Sequence, residues 1–127
     1  MSKKMTTFIG GSQTLNIVDK HCYAYSGIAV SGSAGAEKTY LLYQTPDKVI
    51  TGAFDWGYSA LNNNENSTMR IYFNNVQVFQ IEKEGSELNY NIYTDIVIPP
   101  NTEVKVTIES TDTGDSYLAK FTGRIYG

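Results

Sequence analysis

Side chains able to do acid–base chemistry are sparse in this sequence, and four acids, Glu37, Asp55, Asp95 and Glu103, are the candidates for a working pair. Two carboxylates roughly 5–10 Å apart in a cleft are the machinery of glycoside hydrolysis. Each of the four lies in an alternating, strand-like segment, where an outward charge is the ordinary expectation, so none is assigned a catalytic role. The single histidine and the single cysteine are neighbours, His21-Cys22. Adjacent side chains of a strand point to opposite faces, so the two do not meet as base and nucleophile. One Cys and one His also exclude a zinc site built from several such ligands, an internal disulfide and a Cys-x-x-Cys motif.

The stretches 62–66 and 112–115 are rich in the oxygen atoms that Ca²⁺ accepts. Neither has the spacing of an EF-hand loop, and Asn, Asp and Gly are also the common residues of turns. Asn66-Ser67-Thr68 fits the N-glycosylation pattern, which has no consequence without a secretory signal. No catalytic residue, metal or cofactor is expected, and the chain is expected not to be an enzyme.

Ten Tyr, five Phe and one Trp are a heavy aromatic load for 127 residues. Tyr40, Tyr43, Trp56, Tyr58, Tyr72, Tyr90 and Tyr93 are candidates for a platform on which sugar rings stack, with Trp56 and Tyr58 foremost. Aromatic residues with a polar tip also suit protein–protein interfaces. Several expected strands are apolar on both faces, more than one sandwich core needs. Phe79, Ile81, Tyr93, Val97, Leu118 and Tyr126 lie opposite the stronger core stripes, and Phe79, Ile81, Tyr93, Leu118 and Tyr126 are the expected interface residues.

The elements that position these residues read as strands. The segment 67–82, STMRIYFNNVQVFQIE, holds two β-prone runs around Asn74-Asn75. Asn tolerates the positive φ that a two-residue type I′ turn requires at both central positions. Such a turn pairs Phe73 with Val76, Ile71 with Val78 and Met69 with Gln80. One face then reads Met69, Ile71, Phe73, Val76 and Val78, the core face. Before it come a first strand over 23–31, one over 37–45, and a long one over 49–60 in which Gly52 and Gly57 signal a bulge or bend. After it come 92–98, stopped by Pro99-Pro100, then 102–110 with Val104, Val106 and Ile108 inward, then 117–126 with Ala119, Phe121 and Ile125 inward. Residues 83–90 have the composition of a connection between two sheets.

No segment carries a 3.6-residue apolar period. Eight main strands, with turn signals every 8–12 residues or so, indicate an all-β, antiparallel two-sheet sandwich. A tight hairpin between the fourth and fifth strands favours an eight-stranded jelly roll over a meander or an immunoglobulin-like Greek key. Residues 1–20 are expected to be an N-terminal arm and residues 21–127 a single domain.

The totals narrow the function. At 14.1 kDa the chain can bury a real core without staples. A formal charge of −3 and a pI near 5.0 give no reason to expect nucleic acid or an anionic membrane as partner. No apolar run approaches the length of a signal peptide or of a membrane span. Synthesis in the cytoplasm is the expectation.

The segment IVIPPNTEVKVTIESTDTGDSYLAKFTGRIYG resembles the end of small β proteins encoded by tailed phages and other large DNA viruses. The matching features are Ile98-Pro99-Pro100, the strand Thr102 to Val106, and the closing Gly123 to Gly127. The Arg-Ile-Tyr-Phe-Asn-Asn-Val run is similar to the hydrophobic-Asn-Gly-Val hairpins of that group. The resemblance covers residues 49–127. It implies a virion structural protein, a capsid decoration, cement or fibre-like module located in the virion. Its partners would be the major capsid protein or another virion protein, and it would form a homo-oligomer, most simply a trimer. The alternative is a carbohydrate-binding or receptor-binding jelly-roll module that uses exposed aromatics.

Overall fold

A computed structural model describes residues 14–30, 32, 34–60, 66–83, 90–111 and 116–127, with the side chains of 58–60, 83 and 90–94 left aside. The described residues form ten strands: β1 (Asn16–Val18), β2 (His21–Tyr25), β3 (Ala29–Val30), β4 (Glu37–Gln44), β5 (Val49–Ala60), β6 (Ser67–Phe73), β7 (Val76–Lys83), β8 (Tyr90–Ile98), β9 (Glu103–Ser110) and β10 (Ser116–Tyr126). The larger sheet runs β1-β2-β10-β5-β8, with β3 also on β10, and the smaller sheet runs β4-β9-β6-β7. All pairings are antiparallel. Apart from the β6–β7 hairpin, the main strands alternate between the two sheets, which is the expected jelly-roll topology.

Both sheets bury one face. Trp56, Tyr40, Tyr117, Phe54, Phe121 and Leu41 are the largest fully enclosed side chains. Phe121 is central: its ring centroid lies 4.7 Å from that of Phe54 and 5.7 Å from that of Tyr43. Removing such a side chain from water is worth about 1.5–3 kcal/mol. Tyr40 is reconciled with burial by donating its hydroxyl hydrogen bond to the Ala29 carbonyl at 2.9 Å.

The Asn74-Asn75 turn forms as expected, with φ of 51° and 66°. Phe73 pairs with Val76, as a two-residue loop requires. The next rungs differ from the sequence expectation. A bulge places Tyr72 against Gln77, then Ile71 against Phe79 and Met69 against Ile81. Val78 is the extra residue, and one extra residue exchanges the faces of everything beyond it. Phe79 and Ile81 therefore pack against the core, while Val76 and Val78 are exposed.

The turn is also tied to the neighbouring strand. Asn74 Oδ1 accepts from the Glu103 amide, and the Asn74 amide donates to the Glu103 carbonyl, both at 2.9 Å. Asn74→Ala removes that acceptor and places a Cβ residue less tolerant of positive φ in the turn. A loss of about 1–2 kcal/mol in urea unfolding is expected. Asn75→Gly, which keeps the geometry, should stay within about 0.5 kcal/mol of the parent chain.

The first expected strand is broken in two. Gly27 adopts φ 72° between β2 and β3, and Ser26 bridges to β10 through its own amide and hydroxyl at Ala119. The kink reverses the phase, so Ala29, which uninterrupted alternation would place on the side of Tyr23 and Tyr25, packs on the core while Ile28 and Val30 are exposed. Of the expected arm, residues 1–13 lie outside the described residues, and Asn16–Val18 form β1 on β2. The connection between β7 and β8 does join the two sheets, as expected for 83–90.

Candidate functional site

The outward faces of the two sheets differ in kind. On the smaller sheet, Arg70 sits between two acids brought together by the β4–β9 register, which pairs Glu37 with Glu109. Its Nη1 lies 2.7 Å from Glu109 Oε1 and 3.7 Å from Glu37 Oε2, and its Nε donates to Gln80 at 3.0 Å. Glu37 also accepts from Tyr72 at 2.7 Å and from Thr107 at 2.6 Å. Lys105 Nζ lies 4.7 Å above the Tyr72 ring. Burial pushes the Glu37 carboxyl up, but the Thr107 and Tyr72 hydrogen bonds, with Arg70 and Lys105 nearby, outweigh it and hold the group below its ordinary value. This is a surface whose polar groups satisfy one another.

The outward face of the larger sheet is tyrosine-rich and partly apolar. The alternation in β2 turns Cys22 and Ala24 inward and Tyr23 and Tyr25 outward. The two tyrosine rings are 5.0 Å apart. On β10 the outward series is Leu118, Lys120, Thr122, Arg124 and Tyr126, opposite Gly57, Asp55, Ala53, Thr51 and Val49 of β5. Lys120 Nζ is 3.6 Å from Asp55 Oδ2, and Thr51 donates to the Tyr126 hydroxyl at 3.3 Å. Tyr25, Val49, Val97 and Tyr126 are all exposed. At one end Tyr25, Gly27, Ile28, Leu118 and Lys120 line a shallow hollow of about 270 Å³.

The sequence-derived candidates fall into several groups. Leu118 and Tyr126 lie on this outward face, as expected, and so does Val97. Phe79 and Ile81 do not lie on an outer face, for the bulge turns them to the core. Tyr93 pairs through its backbone with Phe54, and its side chain, like that of Tyr58, lies outside the described residues. The glycan platform is corrected at Trp56, which is fully buried, and at Tyr40 and Tyr43, which are core residues. Tyr23 and Tyr25 are the aromatic pair that sequence reasoning left out. The signal was present in the His-Cys-Tyr-Ala-Tyr alternation, where the small, buried Cys22 and Ala24 mark the inward side.

Trp56 offers a direct check, since it is the single tryptophan. Its emission is expected to be blue-shifted, poorly quenched by iodide and unmoved by oligosaccharides. Ready iodide quenching in the native chain would place it at the surface instead.

The four candidate acids are split between the two faces. Glu37 and Glu103 stand near opposite ends of the β4–β9 ladder, about 20 Å apart by the strand rise. Asp55 is engaged with Lys120. Cys22 is buried and its thiol is pushed up to about 11 by that burial, away from reactivity, while His21 is exposed on the other side of β2. Among the described residues, no three His, Cys, Asp or Glu side chains gather as metal ligands. The oxygen-rich stretches 62–65 and 112–115 lie outside the described residues.

No family model and no curated protein matches the chain. Solved structures with a similar strand arrangement include infectious bursal disease virus, Gx strain, at 13% identity and a TM-score of 0.48, covering 86% of this chain and 34% of that one. The insecticidal delta-endotoxin Cry8Ea1 from Bacillus thuringiensis is similar at 8% identity and 0.41, over 83% of this chain and 18% of the toxin. A β-glucosidase from Paenibacillus barengoltzii is similar at 10% identity and 0.42, over 94% of this chain and 12% of the enzyme. The chain spans about a third or less of each of these molecules, and values this low carry no argument about activity or partners.

Proposed function

We propose that the chain is a non-enzymatic virion structural protein, a capsid decoration or cement module that acts by binding other virion proteins and copies of itself. One observation carries this reading. The jelly roll leaves one outer face satisfied by its own ion pairs and the other presenting Tyr25, Leu118, Val49, Val97 and Tyr126. An outward apolar and aromatic face of this kind marks a binding surface. The phage-like features Ile98-Pro99-Pro100 and Gly123 to Gly127 support the virion as its setting. The test is co-sedimentation with purified virus particles. Stoichiometric incorporation is expected, and a protein absent from particles that also stays monomeric by light scattering sinks the reading.

A second reading, a carbohydrate- or receptor-binding module, is favoured by one feature: Tyr25, half exposed, stands against Tyr23 at the edge of the hollow that Lys120 also lines. A stacked ring with a neighbouring donor is how sugars are held. A glycan array without hits removes it.

A further inference from the structure

We propose that the outward face of the larger sheet pairs with the same face of a second copy, about a two-fold axis that runs parallel to the strands between β10 and β5. This rests on the self-association in the reading above and assigns it a surface and a symmetry.

The argument comes from the register. A two-fold axis in that position lays β10 of one copy over β5 of the other, so each outward residue of β10 faces the residue that is already its lateral partner within the sheet. Lys120 then meets Asp55 of the second copy, Leu118 meets Gly57, Thr122 meets Ala53, Arg124 meets Thr51 and Tyr126 meets Val49. Lys120 meets an anion, Leu118 and Thr122 meet small residues, and Tyr126 meets a branched aliphatic, while Arg124 meets a hydroxyl. The outer strands follow, with β2 over β8 and His21 over Val97. Two other axes fail on charge. An axis along β10 stacks Lys120 on Lys120 and Arg124 on Arg124, and an axis across the strands at Thr122 stacks Lys120 on Arg124. Like charges buried face to face are strongly unfavourable.

The Lys120–Asp55 approach within one copy is 3.6 Å, longer than the 2.7–2.9 Å or so of a charge-assisted hydrogen bond, and Lys120 remains 43% exposed, so the same ammonium can also approach Asp55 of the second copy. The area sets the strength. β10 and β5 face each other over about 26 Å, whereas β2 supplies only His21–Tyr25, so the shared face is about 400 Å² per copy, or about 800 Å² in total. That is the size of a weak, transient contact. The geometry yields a closed pair in place of the trimer expected from sequence.

The test uses charge reversal in two separate chains, read by sedimentation velocity at about 100 μM, a concentration suited to an interface of this size. The parent chain is expected to be a dimer. Lys120→Glu sets acid against acid across the axis and Asp55→Lys sets base against base. Each variant alone should weaken pairing by at least about tenfold. Mixed in equal amounts, the two should dimerise again, because the hetero-pair restores a cation–anion contact at both symmetric positions. Circular dichroism reports whether each variant is folded. Where either is not, Thr122→Arg, an exposed position beside the axis, serves in its place and should also give monomers.

A monomeric parent chain, single variants that still dimerise, or a mixture that stays monomeric overturns the pairing. These outcomes are distinct from failure of the virion reading. A chain that is monomeric in solution yet incorporated into particles removes the two-fold contact alone. A chain that dimerises as described yet ignores particles removes the virion reading alone.

Discussion

Gly52→Ala is expected to cost at least about 3 kcal/mol and to lower the melting temperature by roughly 10 °C or more. Gly52 and Gly123 are cross-strand partners at the centre of the larger sheet, and the Phe121 ring lies over them. A Cβ on Gly52 would stand 2.3 Å from the Thr122 carbonyl oxygen and 2.7 Å from Phe121 Cζ. A Cβ on Gly123 would stand 2.6 Å from the Thr51 carbonyl oxygen and 2.8 Å from the same ring carbon. The nearest obstacle in each case is main chain in the β5–β10 ladder, which cannot swing aside as a side chain does. Relief requires moving Phe121 out of contact with Phe54 and Tyr43, or parting two central strands. Overpacking of a core alone costs about 1–3 kcal/mol, and displaced backbone adds to it. Gly32→Ala is the control: its Cβ would meet nothing closer than 3.7 Å, and it should leave the melt unchanged. Equal melting of Gly52→Ala and the parent chain, followed by calorimetry, would falsify the close approach.

Arg70→Met is the second large effect, about 2 kcal/mol in low salt, measured by urea unfolding. The Arg70 side chain is four-fifths covered, and its guanidinium supplies the 2.7 Å bond to Glu109 and the 3.0 Å bond to Gln80. Methionine keeps the packing of the stem and removes the charge, leaving Glu37 and Glu109 directly opposite each other without it. Arg70→Lys should recover only part of the loss, because an ammonium cannot bond Glu109 and Gln80 in the same fork.

The cluster also gives the pH dependence a direction. The Glu37 carboxyl is held below its ordinary value of 4.5, so the stability it contributes is complete above that value and is lost as pH falls through the lower, folded one. Stability is therefore expected to decline on acidification below about pH 4.5. Arg70→Met should shrink that acid-dependent part, since Arg70 is one of the causes of the lowering. An unchanged acid limb in the variant would show that Arg70 does not hold the carboxyl down.

The same residues show where sequence reasoning ends. The glycine at 52 was legible as an irregular point of a long strand, and a bulge does occur nearby. It sits on β8, however, where Asp95 takes φ 60° and two residues oppose Ala53. The reason for Gly52 is the β10 main chain together with the Phe121 ring, which reach it from a strand about seventy positions away and leave no local mark.

By itself the sequence determined the all-β class, the jelly-roll order, the Asn74-Asn75 turn and the inward stripes of β9 and β10. These follow from properties carried within a few residues: period-two alternation, turn residues that accept positive φ, and prolines that stop a strand. Tertiary structure alone decided which face Phe79 and Ile81 occupy, that Trp56 is enclosed, that Ile28 and Val30 turn outward, and that Tyr23 and Tyr25 are displayed beside Leu118. In β7 both faces carry apolar residues, so alternation cannot choose between registers, and a single extra residue at Val78 exchanges them. Aromatic side chains have no preferred side of a strand until a second sheet covers one. The physical cause is common to all four cases. A strand's pattern states that two faces differ, but the facing sheet and the position of each bulge decide which of them meets water.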